Sequence, residues 1–202
     1  MTKTNPGNFF EDFTLGQVIH HATPRTVTEG DRALYGSIYP TRFALPSSAR
    51  FAASCGLNSA PVEELIGFHI AFGKTVPEVS LNAVANLGYG ECRFHRPVRT
   101  GDTLRTRSVV IGLKQNSNGR TGVVYVRSTA TNQHRDVAIE WARWVMVNKR
   151  DADAPAPETH LPKLADVVAA EDLVIPEGLD FSDYDFEAAG EPHRWGDYTV
   201  GE

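Results

Sequence analysis

Little in this sequence supports metal or disulfide chemistry. Its two cysteines, Cys55 and Cys92, show neither Cys-x-x-Cys spacing nor a neighbouring histidine cluster, which argues against a disulfide framework and a zinc site. Free thiols in a reducing compartment are expected. No apolar run approaches the roughly 20 residues of a membrane span, and the opening "MTKTNPGNFF" lacks the apolar stretch of a signal peptide. The reading is therefore a cytoplasmic protein, with neither a membrane nor a nucleic acid as partner.

Basic residues all but vanish after residue 150. Residues 151–202 hold 2 Lys+Arg against 14 Asp+Glu, whereas residues 1–150 hold 18 against 11. A basic body favours an anionic ligand, and an acidic tail reads as a solvated segment. From Asp151 the chain is rich in Pro, Ala and acids, which marks a linker that wraps or extends. One short helix is expected in it, over Leu164–Glu171.

The chain is long enough, at 41% hydrophobic over 202 residues, for one well-buried core or two small ones. Gly16–Thr23 reads as a short strand in which only one of His20 and His21 can point inward. Thr28 caps a helix running to about Ser37, and Ser47 or Ser48 caps a second that ends before Gly56. A third helix is expected over "GKTVPEVSLNAVANLGYG". There Thr75 and Glu78 have capping-box spacing, Pro77 suits a first turn and Gly88 suits a stop. Its apolar residues lie nearly all round, so it should be buried on most sides.

Three long strands follow, Thr103–Leu113, Thr121–Thr131 and Val137–Val147, separated by the turn sequences "NSNG" and "NQHRD". In the last of them Ile139, Trp141, Arg143 and Val145 share one face. A buried helix followed by a long antiparallel meander predicts an α+β protein of hot-dog architecture, a curved sheet wrapped around a central helix.

Three stretches in order carry a family resemblance: "FEDFTLGQVIHHATPRTVTEGDRALY" (Phe10–Tyr35), "HIAFGKTV" (His69–Val76) and "RFHRPVRTGDTL" (Arg93–Leu104). Together they resemble the MaoC-type hydratase branch of the hot-dog superfamily. The segments "TKTNPGNFFEDF", "RTGVVYV" and "RWVMVNKRDADAPAPET" are similar to the first half of the mesaconyl-CoA hydratase (β-methylmalyl-CoA dehydratase) family, whose members pair two hot-dog copies in one chain. The resemblance implies a lyase that hydrates an enoyl-CoA thioester, with no cofactor beyond the CoA carried by the substrate.

Hydration of such a thioester needs a general base for water, an acid for the α-carbon and donors for the enolate oxygen. The family supplies acid and base from Gly-Asp-x-Asn-Pro-x-His after the first helix. Here "YPTRFAL" stands there, with Pro40 in the place of the Asp and Leu45 in the place of the His. Neither exchanges a proton, so no catalytic residue is expected in this copy. What remains is a binding surface. His69 and Phe72 are candidates for the acyl cleft, and Gly73 for a helix N-terminus facing an anion or thioester carbonyl. Arg42, Lys74, Arg93 and Arg96 are candidates for the CoA phosphates. Metal ligands are not expected.

The chain also repeats itself. Phe10, Asp12, Phe13, Thr14, Leu15, Gly16 and Gln17 align with Trp195, Asp197, Tyr198, Thr199, Val200, Gly201 and Glu202 at a constant offset of 185 residues. The expected organisation is thus a hot-dog domain over 1–150, a linker over 151–193 and the start of a second repeat over 194–202. The missing acid and base would lie in that second copy, with which, or with a homo-oligomeric partner, this domain would pair. The alternative is a non-catalytic hot-dog module that binds acyl-CoA or a partner subunit.

Overall fold

A computed structural model describes residues 5–173, 178–184 and 194–201. The rest of the expected linker, and Glu202 of the closing repeat, lie outside these residues.

After a 3-10 turn at Phe10–Asp12, the body comprises β1 (Val18–His20), β2 (Arg25–Thr26), α1 (Glu29–Ile38), α2 (Ala44–Ser47), α3 (Ala49–Ser54) and α4 (Glu64–Thr75). A π turn at Val76–Ser80 leads to β3 (Ala83–Phe94), β4 (Thr103–Gln115), β5 (Thr121–Thr131) and β6 (Val137–Asn148). The sheet is antiparallel in the order β1-β4-β5-β6-β3, with β2 pairing the start of β4.

Several expected elements form as read. Thr28 Oγ1 accepts from Asp31 N at 3.2 Å and the Asp31 carboxylate returns the bond to Thr28 N at 2.9 Å, closing the first turn of α1. Ser48 Oγ accepts from Phe51 N at 3.1 Å, and Gly56 takes φ +83° just past α3. His21 is buried while His20 is exposed, as alternation requires. β5 has the expected limits, and β4 and β6 differ only at their ends.

The central helix lies elsewhere than expected. It starts at Glu64, where Glu63 caps it by accepting from Leu65 N at 3.0 Å, and it ends at Thr75. Residues 83–88, expected to be helical, instead open an edge strand that runs to Phe94. The Thr75 and Glu78 side chains make no capping box: Thr75 Oγ1 donates to Phe72 O at 2.7 Å, and Glu78 binds His21 Nδ1 at 2.8 Å. Pro77 has no N–H for the α-helical ladder, and the chain widens around it into the π turn. Gly88 ends no helix. It lies opposite Trp144 on β6, and a Cβ there would overlap the indole ring.

α4 lies against the sheet through Ile66, Gly67, Ile70, Ala71 and Thr75. Gly67 permits a close approach, since an added Cβ would sit 3.2 Å from Val98 and 3.3 Å from Ile139. Two apolar clusters result. One gathers Val62, Ile66, Ile70, Leu104, Ile139 and Trp141; the other gathers Phe10, Phe13, Val79, Val110, Val124 and Val145. Buried polar groups lie in the same interior. His21 Nε2 meets Ser108 Oγ at 2.8 Å, Ser108 meets Ser128 at 2.7 Å, and Arg143 Nη2 donates to Thr75 Oγ1 at 2.8 Å.

The segment after β6 wraps, as its composition suggests, but without the expected helix over Leu164–Glu171; only a 3-10 turn forms, at Ala170–Asp172. Most of Leu164–Glu171 is exposed, so no buried amphipathic stripe offsets helix nucleation. Instead residues 160–165 lie along the sheet. Leu113 and His160 exchange two backbone bonds of 2.9 Å, Pro162 fills the space over Gly112, and Ala165 N donates to Glu91 Oε1 at 3.0 Å. Farther on, Asp180 N donates to Cys55 O at 2.9 Å and Tyr184 meets Phe51 at 5.4 Å between ring centroids.

The closing residues repeat the opening ones in structure too. Trp195–Asp197 is a 3-10 turn like Phe10–Asp12, with Asp197 N donating to Arg194 O at 2.9 Å as Asp12 N does to Phe9 O at 3.0 Å. In each turn the aspartate carboxylate accepts from the residue three before it, and the glycines that follow, Gly16 and Gly201, have φ +80° and +92°. Burial differs: Phe10 is fully buried beside Gly122, whereas Trp195 is 94% exposed.

Candidate acyl-CoA site

α1, α2 and the start of α4 enclose a cavity of about 400 Å³, lined by residues including Glu29, Arg32, Tyr35, Tyr39, Pro40 and Glu63. An apolar groove of about 210 Å³ adjoins it across Tyr35 and Tyr39 and takes in Leu34, Ile38, Ile70 and His69. α1 creates both by leaning on α4, where the Tyr35 and His69 rings meet at 6.0 Å. Burial raises the Glu63 carboxyl above its ordinary range, and neighbouring Glu64 adds to the shift. Burial also raises the Tyr35 phenol.

Pro40 stands on the wall of the larger cavity, while Leu45 packs against the small cluster of Ala52, Leu57 and Ala60. The cavity wall carries carboxylates but no histidine. Among the described residues no cluster of His, Cys, Asp and Glu could hold a metal ion.

The seven residues expected to bind substrate are dispersed. His69 lines the groove, and Phe72 stacks on Phe68 at 5.7 Å farther along α4. Gly73 and Lys74 lie in the last turn of α4, so the expected helix N-terminus at Gly73 does not exist there; the N-terminal donors belong to Glu64 and its successors. Lys74 Nζ donates to Thr23 Oγ1 at 3.2 Å. Arg93 pairs with Asp172 at 3.6 Å and Arg96 with Asp136 at 2.6 Å. Arg42 is exposed between α1 and α2.

Sequence reasoning missed three features. Glu63 carried no motif. The His21–Glu78 contact spans 57 residues and could not be read locally. Arg143 did leave a signal, an arginine in the same register as Ile139, Trp141 and Val145. It is 1% exposed, and burial pushes its guanidinium down to about 10.

The family model described as "MaoC like domain" matches residues 11–133. The chain belongs to the MaoC-like domain family. Mesaconyl-CoA hydratase of Cereibacter sphaeroides is 63% identical over 99% of this chain and 58% of its own length. β-Methylmalyl-CoA dehydratase of Chloroflexus aurantiacus is 60% identical over 99% of this chain and 57% of its own length. The chain therefore spans less than two thirds of the curated relatives it matches. Among solved structures, a putative MaoC domain protein dehydratase from Chloroflexus aurantiacus superposes with a TM-score of 0.91 at 59% identity, over 100% of this chain and 57% of that one. A Mycobacterium tuberculosis protein described as having a double hotdog fold superposes with a TM-score of 0.65 at 29% identity, covering 78% of this chain and 47% of that one. The architecture of this MaoC-like chain is accordingly α+β and hot-dog. No described helix is long and apolar enough to cross a membrane.

Proposed function

We propose that this chain is the N-terminal hot-dog half of a CoA-thioester hydratase that interconverts mesaconyl-CoA and β-methylmalyl-CoA. The observation that carries the reading is identity of 60% or more to two enzymes so named, sustained over 99% of the chain. In this reading the half supplies acyl-CoA binding, and a second copy beginning near Arg194 supplies the acid and base. Support for the division comes from Pro40 and Leu45 at the dyad positions and from the recurrence of the opening turn at Trp195–Asp197.

The acyl group runs along α4 past His69 and Phe72 toward the second copy. Arg42 and Lys74, which form no ion pair among the described residues, meet the CoA phosphates, whereas Arg93 and Arg96 are held by carboxylates. The second copy, or a homo-oligomeric partner, covers edge strand β3, where Val84, Leu87 and Tyr89 are exposed. Such an apolar edge associates.

The test compares the purified 202-residue chain with the protein of its full reading frame, following mesaconyl-CoA and β-methylmalyl-CoA. Activity is expected only from the latter. Turnover by the 202-residue chain alone overturns the division of labour, and inactivity of both overturns the reaction.

A further inference from the structure

Arg143 stands out because its charge has no counterion among the described residues. The side chain leaves β6 toward α4 and is 1% exposed. Nη2 donates to Thr75 Oγ1 at 2.8 Å and reaches Ser80 Oγ at 3.4 Å, but Nε and Nη1 are buried with no acceptor. The nearby carboxylate of Glu78 is bound to His21 instead. Buried charges are normally paired, because a guanidinium removed from water without a counterion is strongly disfavoured. A leucine or methionine would serve packing alone.

The surroundings indicate how a counterion would arrive. The Phe72 ring covers the guanidinium, with its centroid 4.5 Å from the guanidinium carbon. Phe72 is only half-buried, and the Tyr89 ring lies 6.0 Å from it. Tyr89 is 47% exposed on edge strand β3. The half-buried Phe72 ring thus touches both the guanidinium and the exposed Tyr89 of β3, the edge that the second copy would cover. The π turn that follows α4 brings Ser80 to the same place, and such turns recur at functional sites.

We propose that Arg143 binds the free carboxylate of a dicarboxylic acyl-CoA along its Nε–Nη2 edge, where Nε–H has no acceptor among the described residues, and so selects that substrate over monocarboxylic enoyl-CoA thioesters. The inference rests on the reading of the chain as half of a mesaconyl-CoA hydratase. Mesaconyl and β-methylmalyl thioesters both carry such a carboxylate at the end of the acyl chain away from sulfur. Nε–H and the Nη2–H beside it are parallel and match the two oxygens of a carboxylate, which a lysine would not reproduce.

The experiment uses the protein of the full reading frame and two thioesters. Mesaconyl-CoA carries the carboxylate; tiglyl-CoA has a methyl group in its place. Arg143→Met is expected to lower kcat/KM for mesaconyl-CoA by about 100-fold or more while leaving tiglyl-CoA within about threefold. Equal losses on both, or none on mesaconyl-CoA, overturn the proposal. A second arm needs no variant: the Arg143 Nε–H resonance of the wild-type protein should shift on saturation with mesaconyl-CoA and not with tiglyl-CoA. A signal already in its carboxylate-bound position without ligand assigns the counterion to the second copy and overturns the substrate role. Hydration of neither thioester refutes the functional reading, and an Arg143 Nε–H insensitive to mesaconyl-CoA refutes this one.

Discussion

Replacing Arg143 by methionine should make the 202-residue chain more stable. Burial pushes the guanidinium down to about 10; at ~1.4 kcal/mol for each pH unit, the fold holds the charged form at a cost of about 3 kcal/mol. The substitution strands little. Thr75 Oγ1 still donates to Phe72 O, and what it and Ser80 lose is a donor to accept from, not an acceptor for a buried N–H. Methionine fills much of the same volume beside Phe72 and forfeits a cation–π contact of about 1 kcal/mol. The net gain is about 2 kcal/mol, or roughly 4–8 °C in Tm for a chain of this size. Thermal unfolding followed by circular dichroism at pH 7 measures it. A fall in Tm would show that the guanidinium's bonds outweigh its desolvation, and the argument that this charge is kept for a ligand would lose its footing.

Two further outcomes follow from the same interior. In the 202-residue chain Phe10→Ala should cost about 3–5 kcal/mol in urea unfolding, because Phe10 is fully buried, whereas Trp195→Ala should stay within about 0.5 kcal/mol; in the full-length protein the tryptophan substitution should become costly as well. His21 is buried, and desolvation, larger than the opposing attraction of Glu78, keeps its imidazole below the usual 6.5. The unfolded chain therefore takes up the proton first, so stability present above about pH 6.5 is lost as pH falls through the folded value. Urea midpoints between pH 7 and 5 should decline more steeply for the wild type than for His21→Gln.

How much of this was legible in the sequence depended on how local each signal was. Thr28, Ser48 and the two turns that bound β5 act within a few residues, so they could be read directly. The helix placed over residues 73–88 failed because its evidence was ambiguous. A Thr-x-x-Glu pair with a proline between fits the start of a helix, and it fits equally the π turn beyond one. Apolar residues on every side cannot distinguish a buried helix from an edge strand whose exposed face awaits a partner. Gly88 in β3 reads as a stop but answers to Trp144, more than 50 residues away. For the site, the lack of a proton-exchanging pair at Pro40 and Leu45 was visible at once, while Glu63 and the His21–Glu78 pair were not. Gly73 was assigned to the wrong end of its helix for the same reason the helix itself was misplaced.

The sequence by itself determined the three-stranded meander, the capped helices, the change to an acidic tail and the echo of the opening turn at the end of the chain. Each depends on alternation, capping or composition, which act over neighbouring residues. Only the tertiary structure decided that the central helix begins at Glu64, that residues 160–165 lie along the sheet, and that Arg143 is buried without a counterion among the described residues. Those outcomes depend on which distant side chains share the space between sheet and helix, and no local pattern contains that information.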